Sequence, residues 1–360
     1  MNNFFQFIFK PVLSCNLQCS YCYAEKLKSA KTKIITKENA FNTFEWIARF
    51  AYINGLKKIN ILWHGGEPFL FGAQNISNSI EYYQKLFDSY GIEYSSSIQT
   101  NLTLLNDDFI WIIKEYFDSE CGFSYDYNSN SRLLKNGKNA ESLILEKANL
   151  ALKNDIQLGA ICQITKSNLK DAAKMYSHFN ETGISFKTSR IFYTENDNPL
   201  SHDNEFVNDQ EYASFCCNIF DIWINDIDPK ISIVNLEEYI SAILAGKTYS
   251  CCFSKDCSSN SMTFIPNGDI FPCPRYNTSS NKIGNIYKTL PYIHTTSTSE
   301  KQTAPRKCKN CRYWRICFGG CRFNQSTGWS QHECRSNIII WKHIEKTLRN
   351  MGYDLFLDEL

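Results

Sequence analysis

Residues 4–23 read FFQFIFKPVLSCNLQCSYCY, and the reading of both fold and chemistry starts from this stretch. Phe4–Phe9 is a short, β-rich apolar run. Behind it Cys15, Cys19 and Cys22 form a C-x3-C-x2-C triplet in one short loop. Three thiolates that close together suit three corners of an iron–sulfur cube. A fourth is missing from the run, so one iron is left open. An open iron binds a substrate or cosubstrate, whereas a fully ligated cluster mainly moves electrons.

Beyond this loop, apolar runs alternate with amphipathic stretches. Candidate strands are Phe4–Phe9, Lys58–Trp63, Tyr94–Thr100, Gly122–Tyr125, Gln157–Ile164 and Ser185–Phe192. Helical patterns lie between them at 37–54, 75–90, 106–118, 139–154 and 168–181. Such alternation predicts βαβ units and a parallel sheet, so the expected class is α/β. Six units are too few to close an eight-stranded barrel. An open, partial barrel is the expected architecture, with a doubly wound sheet as its rival. In both, function collects at the C-terminal ends of the strands. The unusual local sequences obey that rule. The cysteine loop follows strand one, His64-Gly65-Gly66-Glu67-Pro68 follows strand two, Gln99-Thr100-Asn101 ends strand three and Ser124-Tyr125-Asp126 ends strand four.

The chain has 360 residues and a net charge of +1, with no long basic run, so no nucleic-acid partner is suggested. Met1–Lys10 lacks the basic start and cleavage site of a secretory signal, and no apolar stretch is long enough to span a membrane. A cytoplasmic location is expected. Sixteen cysteines are many for such a protein, and nine of them fall at 251–334. Tight clusters in a long chain without a secretory signal point to metal rather than disulfides. Cys121, Cys162, Cys216 and Cys217 lie outside the clusters and read as packed apolar thiols.

The expected division is a βα body over 1–230, a helical bridge over 231–250 and a small module over 251–360. Helical patterns at 208–226 and 236–246 lead into a loop-rich texture after residue 250, which suits a module held by metal. A β-hairpin is expected around Pro266–Asp269, a loop at 294–304 and a closing helix at 336–349.

Gly65 and Gly66 allow close approach of backbone to a ligand, and Glu67 adds a carboxylate beside them. Taken alone, Gly-Gly-Glu-Pro is a simple turn. Following the triplet by one βαβ unit, it resembles the radical S-adenosylmethionine (SAM) superfamily. The residues that carry the resemblance are Cys15, Cys19, Cys22, Tyr21 and the Gly65–Pro68 loop, and it covers roughly residues 3–230. It implies a partial (β/α)6 TIM-like barrel and a 4Fe–4S cluster on the three cysteines, whose open iron chelates SAM. By the same resemblance, Gly65, Gly66 and Glu67 meet the SAM amino group, Tyr21 lies near the adenine and Ser124 contacts SAM. One electron passed to the sulfonium breaks the C5′–S bond and leaves a 5′-deoxyadenosyl radical. Gln99, Thr100 and Asn101 match a recurrent strand-three motif whose usual next residue is Gly. Here it is Leu102, and a structural part for the motif is as open as ligand contact.

The module holds Cys308-x2-Cys311-x5-Cys317-x3-Cys321, then Cys334, with Cys251, Cys252, Cys257 and Cys273 upstream. Nine cysteines give two four-cysteine sites with one spare. A C-x2-C pair alone reads as structural zinc. The spacing, with Gly268 between Cys257 and Cys273, resembles the SPASM extension of radical SAM enzymes. That resemblance implies two auxiliary 4Fe–4S clusters, three clusters in all. Its crossed ligation assigns Cys251, Cys257, Cys273 and Cys321 to the first and Cys308, Cys311, Cys317 and Cys334 to the second. Cys251 is preferred over Cys252 because a C-x5-C pair is common at this place among relatives.

SPASM enzymes mostly modify ribosomally made peptides. Sulfatase maturases carry an Asp after the cysteine matched by Cys273, where this chain has Pro274 and then Arg275; Asp269 is the nearest carboxylate in sequence, in a turn that favours solvent exposure. The expected function is therefore oxidative modification of a precursor peptide, a cross-link in particular. The alternative is a carbohydrate-type small-molecule epimerase or dehydrogenase. A flavodoxin- or ferredoxin-like electron donor is expected. Only 14 residues precede Cys15 and 26 follow Cys334, so a leader peptide is expected to bind the barrel, the bridge or a separate protein.

Overall fold

The computed structural model describes residues 4–24, 33–191, 205–248, 250–254, 257, 260–276, 279–292, 306–326 and 330–358. These form two compact units. The first comprises Met1–Ser124, Arg132–Leu158 and Ser258–Ser299; the second comprises Tyr125–Ser131, Gly159–Cys257 and Glu300–Leu360.

In the first unit, strand β1 (Phe4–Val12) is buried almost continuously from Phe5 to Leu13. Parallel strands covered on both faces read this way, as unbroken apolar runs. β1 pairs in parallel with β2 (Lys58–Gly65), with Ile8 opposite Leu62 and Val12 opposite Gly65. β2 pairs with β3 (Glu93–Thr100), and β3 with β4 (Glu120–Ser124), again in parallel. The C-terminal ends of these four strands therefore lie side by side, as the positions of the motifs predict.

Helices α1 (Lys37–Ile53), α2 (Ala73–Ser89), α3 (Asp107–Tyr116) and α4 (Glu141–Lys153) connect or follow these strands. Thr36 caps α1 by accepting from the Asn39 N–H, and Asn106 caps α3 by accepting from Phe109 N–H. The core is aromatic. Phe9 meets Phe44 of α1 at 4.8 Å between ring centroids and Trp63 of β2 edge-on at 5.1 Å. Phe44 also meets Tyr83 of α2 at 4.8 Å, so one ring cluster spans strand and helix layers.

The expected hairpin is present, as β7 (Ser261–Phe264) and β8 (Asp269–Phe271), turning at Gly268 with φ +81. Its place was not legible. β7 pairs in parallel with β1, Phe7 lying opposite Met262, and β8 pairs with a two-residue strand β9 (Gly284–Asn285). A β1 paired on one side only would leave an open edge, and β7 covers it. Nothing in the hairpin's own alternation names that partner.

In the second unit, β5 (Gln157–Ile164) pairs in parallel with β6 (Ser185–Arg190); the Phe192 end of the expected strand lies outside the described residues. α5 (Ala172–Thr182) joins β5 and β6. α6 (Asp209–Ile224) begins with a full capping box of Asn208 and Glu211, and α7 (Val234–Ala245) follows. Short helices α8 (Trp314–Cys317) and α9 (Arg322–Ser326) precede the closing helix α10. α10 runs over Ser330–Asn350, six residues earlier than its periodicity indicates, because its first turns carry polar residues that leave no apolar stripe to read. The expected loop at 294–304 lies outside the described residues. Among the described residues, no helix is long and apolar enough to cross a membrane.

Because Phe9 is fully buried between α1 and β2, Phe9→Ala is expected to cost about 3–5 kcal/mol in anaerobic urea unfolding. A loss under about 1 kcal/mol would contradict this account of the core.

Candidate active site

The loop after β1 is fixed at several points. The Leu13 N–H donates to Lys33 O, and Gln18 N–H to Leu133 O at 2.7 Å; Leu17 forms a bridge with Leu134. The Cys22 N–H closes a turn on Cys19 O. All three thiols are half-buried. Each faces its own donor or charge. Cys15 Sγ accepts from Leu17 N–H at 3.4 Å and from Asn101 Nδ2 at 3.5 Å. Cys19 Sγ accepts from Arg132 Nη1 at 3.7 Å. The Lys10 ammonium lies 5.6 Å from the ring centroid of Tyr23, the residue after Cys22. Burial, with the nearby Glu67 and Cys22 charges, leaves the Cys15 thiol raised, and the Leu17 and Asn101 donors offset only part of that. Donors aimed at sulfur favour the thiolate, the form that binds iron.

The glycine loop is pressed against this segment. A Cβ on Gly66 would stand 2.2 Å from Ser14 O, and one on Gly65, where φ is +139, would stand 2.2 Å from Val12 O. No side chain fits in either place. Gly66 N–H donates to Val12 O at 2.8 Å, Glu67 N–H to Ser14 O at 3.0 Å, and Gly65 N–H to His64 Nδ1. With those N–H groups engaged inside the chain, carbonyl oxygen is what the loop offers an ammonium group. Burial and the Lys10 charge hold His64 down at about 4, so its imidazole is neutral.

Glu67 is fully buried. Its Oε1 accepts from Phe69 N–H at 3.0 Å and from Thr100 Oγ1 at 2.6 Å; its Oε2 accepts from Asn101 N–H at 2.7 Å. The carboxylate thus joins the end of β2 to the end of β3. Asn101 carries the link onward, to Cys15 and to Asn16 Oδ1 at 2.9 Å, and Asn16 reaches Thr103 Oγ1 at 2.8 Å. Thr100 and Asn101 are engaged with Glu67 and the cysteine loop. Gln99 Nε2 donates to Ser124 Oγ at 3.2 Å. Leu102 keeps φ +66, the left-handed conformation that the glycine of the recurrent motif adopts freely, and its side chain is fully buried.

Sequence reasoning missed Arg132, Lys10, Asn16 and Thr103. Arg132 is 9% exposed, and its guanidinium, which reaches Cys19 Sγ, lies 5.5 Å from the Tyr21 ring centroid. Only its distance in sequence from the triplet hides it. Asp269, expected in solvent, is drawn into the hairpin instead: it accepts from Asn285 Nδ2 at 2.8 Å and pairs with Lys282 at 3.1 Å.

In the second unit, Cys308, Cys311, Cys317 and Cys334 line one cavity of about 240 Å³, together with Trp314 and Trp341. Cys321 is buried and is not among its lining residues. The reason is local. Phe318, Gly319 and Gly320 have φ +48, +87 and +78, three left-handed residues in succession. In a continuing helix Cys317 and Cys321 would share a face; these three residues end the helix between them. Four thiols around one cavity fit a four-iron cluster by donor type and number. No three His, Cys, Asp or Glu side chains among the described residues come together as a single-ion site. Cys273 follows β8 in the first unit, while Cys251, Cys257 and Cys321 belong to the second. Cys251 is exposed and Cys252 half-buried, on a single turn of 3-10 helix.

No family model matches the chain. It is 25% identical over 331 residues to a cysteine-type anaerobic sulfatase-maturating enzyme of Clostridium novyi, covering 88% of each. It is 27% identical over 388 residues to a serine-type anaerobic sulfatase-maturating enzyme of Bacteroides thetaiotaomicron, covering 96% of this chain and 91% of that one. Among solved structures, anSMEcpe with bound AdoMet and Cp18Cys peptide matches with a TM-score of 0.82 at 21% identity, over 97% of this chain and 99% of that one. Streptococcus suis SuiB bound to S-adenosylmethionine matches with a TM-score of 0.63 at 18% identity, over 89% of this chain and 73% of that one. The fold is theirs. The thiol triplet, the glycine loop and these relatives identify an enzyme of the radical SAM class. Its C-terminal cysteines mark it as one with a SPASM extension.

Burial raises the Glu67 carboxyl from 4.5 to about 7, against the pull of its three donors. Between those values the folded protein holds a proton that the unfolded chain has released. Stability from this group is present below about 4.5 and lost as the pH rises through about 7. Glu67→Gln removes the titration. Wild type should therefore lose stability relative to Glu67→Gln between pH 4.5 and 7, by on the order of 3 kcal/mol, in urea unfolding across that range. Parallel profiles would contradict it.

Proposed function

We propose that this chain is a peptide maturase that oxidises its substrate by radical SAM chemistry, with Cys15, Cys19 and Cys22 holding the SAM cluster. The observation that carries this is the set of donors gathered on the triplet: Leu17 and Asn101 on Cys15, and Arg132 on Cys19. A 4Fe–4S cluster and SAM bound there would supply a 5′-deoxyadenosyl radical able to abstract hydrogen. The residues around it have separate tasks. Glu67 and Asn101 fix the loop, the Gly65–Gly66 carbonyls and Ser124 are the groups available to SAM, and Tyr21 with Arg132 stacks at its side.

A peptide substrate is supported by the matched structures, one solved with the Cp18Cys peptide and another with precursor peptide SuiA. The named relatives pull toward oxidation of a single residue. Position 274 pulls away, since it offers a proline whose carbonyl is already bound by Lys10, and Asp269 is held in the hairpin. We therefore favour a cross-link, which removes two hydrogens and two electrons from the peptide. The first hydrogen leaves as an atom and the second as a proton and an electron. Cys308, Cys311, Cys317 and Cys334 would hold one electron acceptor, and Cys251, Cys257, Cys273 and Cys321 another. In this reading the functional division is 1–230, 231–250 and 251–360. A flavodoxin- or ferredoxin-like donor in the cytoplasm supplies the electrons, and a separate protein can present the leader.

Anaerobic reconstitution with iron and sulfide tests this reading. Wild type should bind about 12 irons and release 5′-deoxyadenosine from SAM under reductant; Cys15→Ala/Cys19→Ala/Cys22→Ala should bind about 4 fewer and release none. With its peptide, wild type should yield a product lighter by two hydrogen atoms that a hydrazide probe does not label. A fully loaded protein that never forms 5′-deoxyadenosine would overturn the SAM reading. A hydrazide-reactive product would return the chain to sulfatase-type oxidation.

A further inference from the structure

Lys10 is the one cationic residue of β1, and it is 1% exposed. Lysine is almost never buried so far without a counter-charge, because removing an ammonium from water costs several kcal/mol. Among the described residues it makes no ion pair with a carboxylate. Its Nζ donates to Pro274 O at 3.0 Å and lies 5.6 Å from the Tyr23 ring centroid. Pro274 follows Cys273, and Tyr23 follows Cys22. The ammonium is thus bracketed by the neighbours of two cysteines that are 251 residues apart in sequence (273 minus 22). Burial pulls the Lys10 ammonium down from its ordinary value to about 8, and negative charge at Cys273 and then at Cys22 offsets part of that. Apolar packing closes the same place. Cys22 and Tyr23 lie against a small buried cluster of Leu13, Ala24, Ile265 and Phe271, which joins the cysteine loop to the hairpin.

We propose that Lys10 is a positioning residue that ties the Cys15–Cys22 loop to the hairpin carrying Cys273, its one buried charge lying between the neighbours of Cys22 and Cys273 and making iron held at the triplet easier to reduce. This rests on the cysteine assignments proposed above. Neutral thiols would leave the ammonium uncompensated; thiolates on iron compensate it. A fixed positive charge beside a cluster sulfur stabilises the reduced, more negative state over the oxidised one. The charge also falls on His64, which it helps keep neutral next to the glycine loop. Lys10 acts through the cysteine loop and the hairpin, so its effect is on potential and placement.

The test compares reconstituted wild type with Lys10→Met, Lys10→Gln and Lys10→Arg by iron content, circular dichroism and EPR-monitored reduction at fixed potentials. Lys10→Gln keeps a donor for Pro274 O without the charge, and Lys10→Arg keeps the charge. Both neutral variants should show about a tenfold lower ratio of reduced to oxidised cluster at the potential where wild type is half reduced, equivalent to about 59 mV for one electron. Lys10→Arg should stay within about twofold of wild type. Neutral variants that lose iron while Lys10→Arg remains loaded also support the tie. Neutral variants with wild-type potentials overturn it, and so do three variants equally impaired, since size and not charge would then be the cause. Wild type that takes up no iron at all sinks the cysteine assignments and this proposal together.

Discussion

The arrangement at the strand ends depends on one buried carboxylate. Glu67 receives three donors from residues 69, 100 and 101, and through them the ends of β2 and β3 are held at a fixed separation. Its own N–H holds Ser14 O, which adds the end of β1. From Asn101 the chain of contacts passes to Cys15 and Asn16. A buried carboxylate without such partners would be costly, and the partners without it would be buried donors left open. The lock is therefore cooperative, and the cysteine loop inherits its rigidity. A radical site needs that rigidity, since a misplaced reactive group loses rate and attacks its surroundings.

Much of this was legible in the sequence because it is local. The β1 run, the triplet, the Gly65–Gly66 pair and the hairpin turn each carry their signal within a few residues. The use of Glu67 was not legible. Beside two glycines it reads as a charge offered to a ligand, and the structure turns it inward because Thr100 and Asn101 arrive from a strand some thirty residues on (100 minus 67 is 33). Arg132 and Lys10 were hidden for the same reason. Their partners, Cys19 and Pro274, lie 113 and 264 residues away, and no periodicity encodes such distances. β7 beside β1 is the backbone version of the same limit.

Two backbone features show local rules giving way at the site. Leu102 holds a left-handed φ where glycine is the easy choice, at a cost of about 1 kcal/mol or more, offset by complete burial of its side chain and by the Thr100 hydroxyl that accepts its N–H at 3.0 Å. Phe318 also holds a left-handed φ, at the end of α8 directly after Cys317. Leu102 in turn follows Asn101, the donor to Cys15.

The most direct test of the central claim is EPR of the reduced, reconstituted protein before and after addition of SAM. If Cys15, Cys19 and Cys22 hold a cluster with an open iron, SAM must bind that iron, and the reduced signal of this cluster will change its g-values and relaxation. The change will be absent from the variant lacking all three thiols, whose remaining signals will not respond. A wild-type spectrum that SAM leaves untouched in a fully loaded protein would contradict the account.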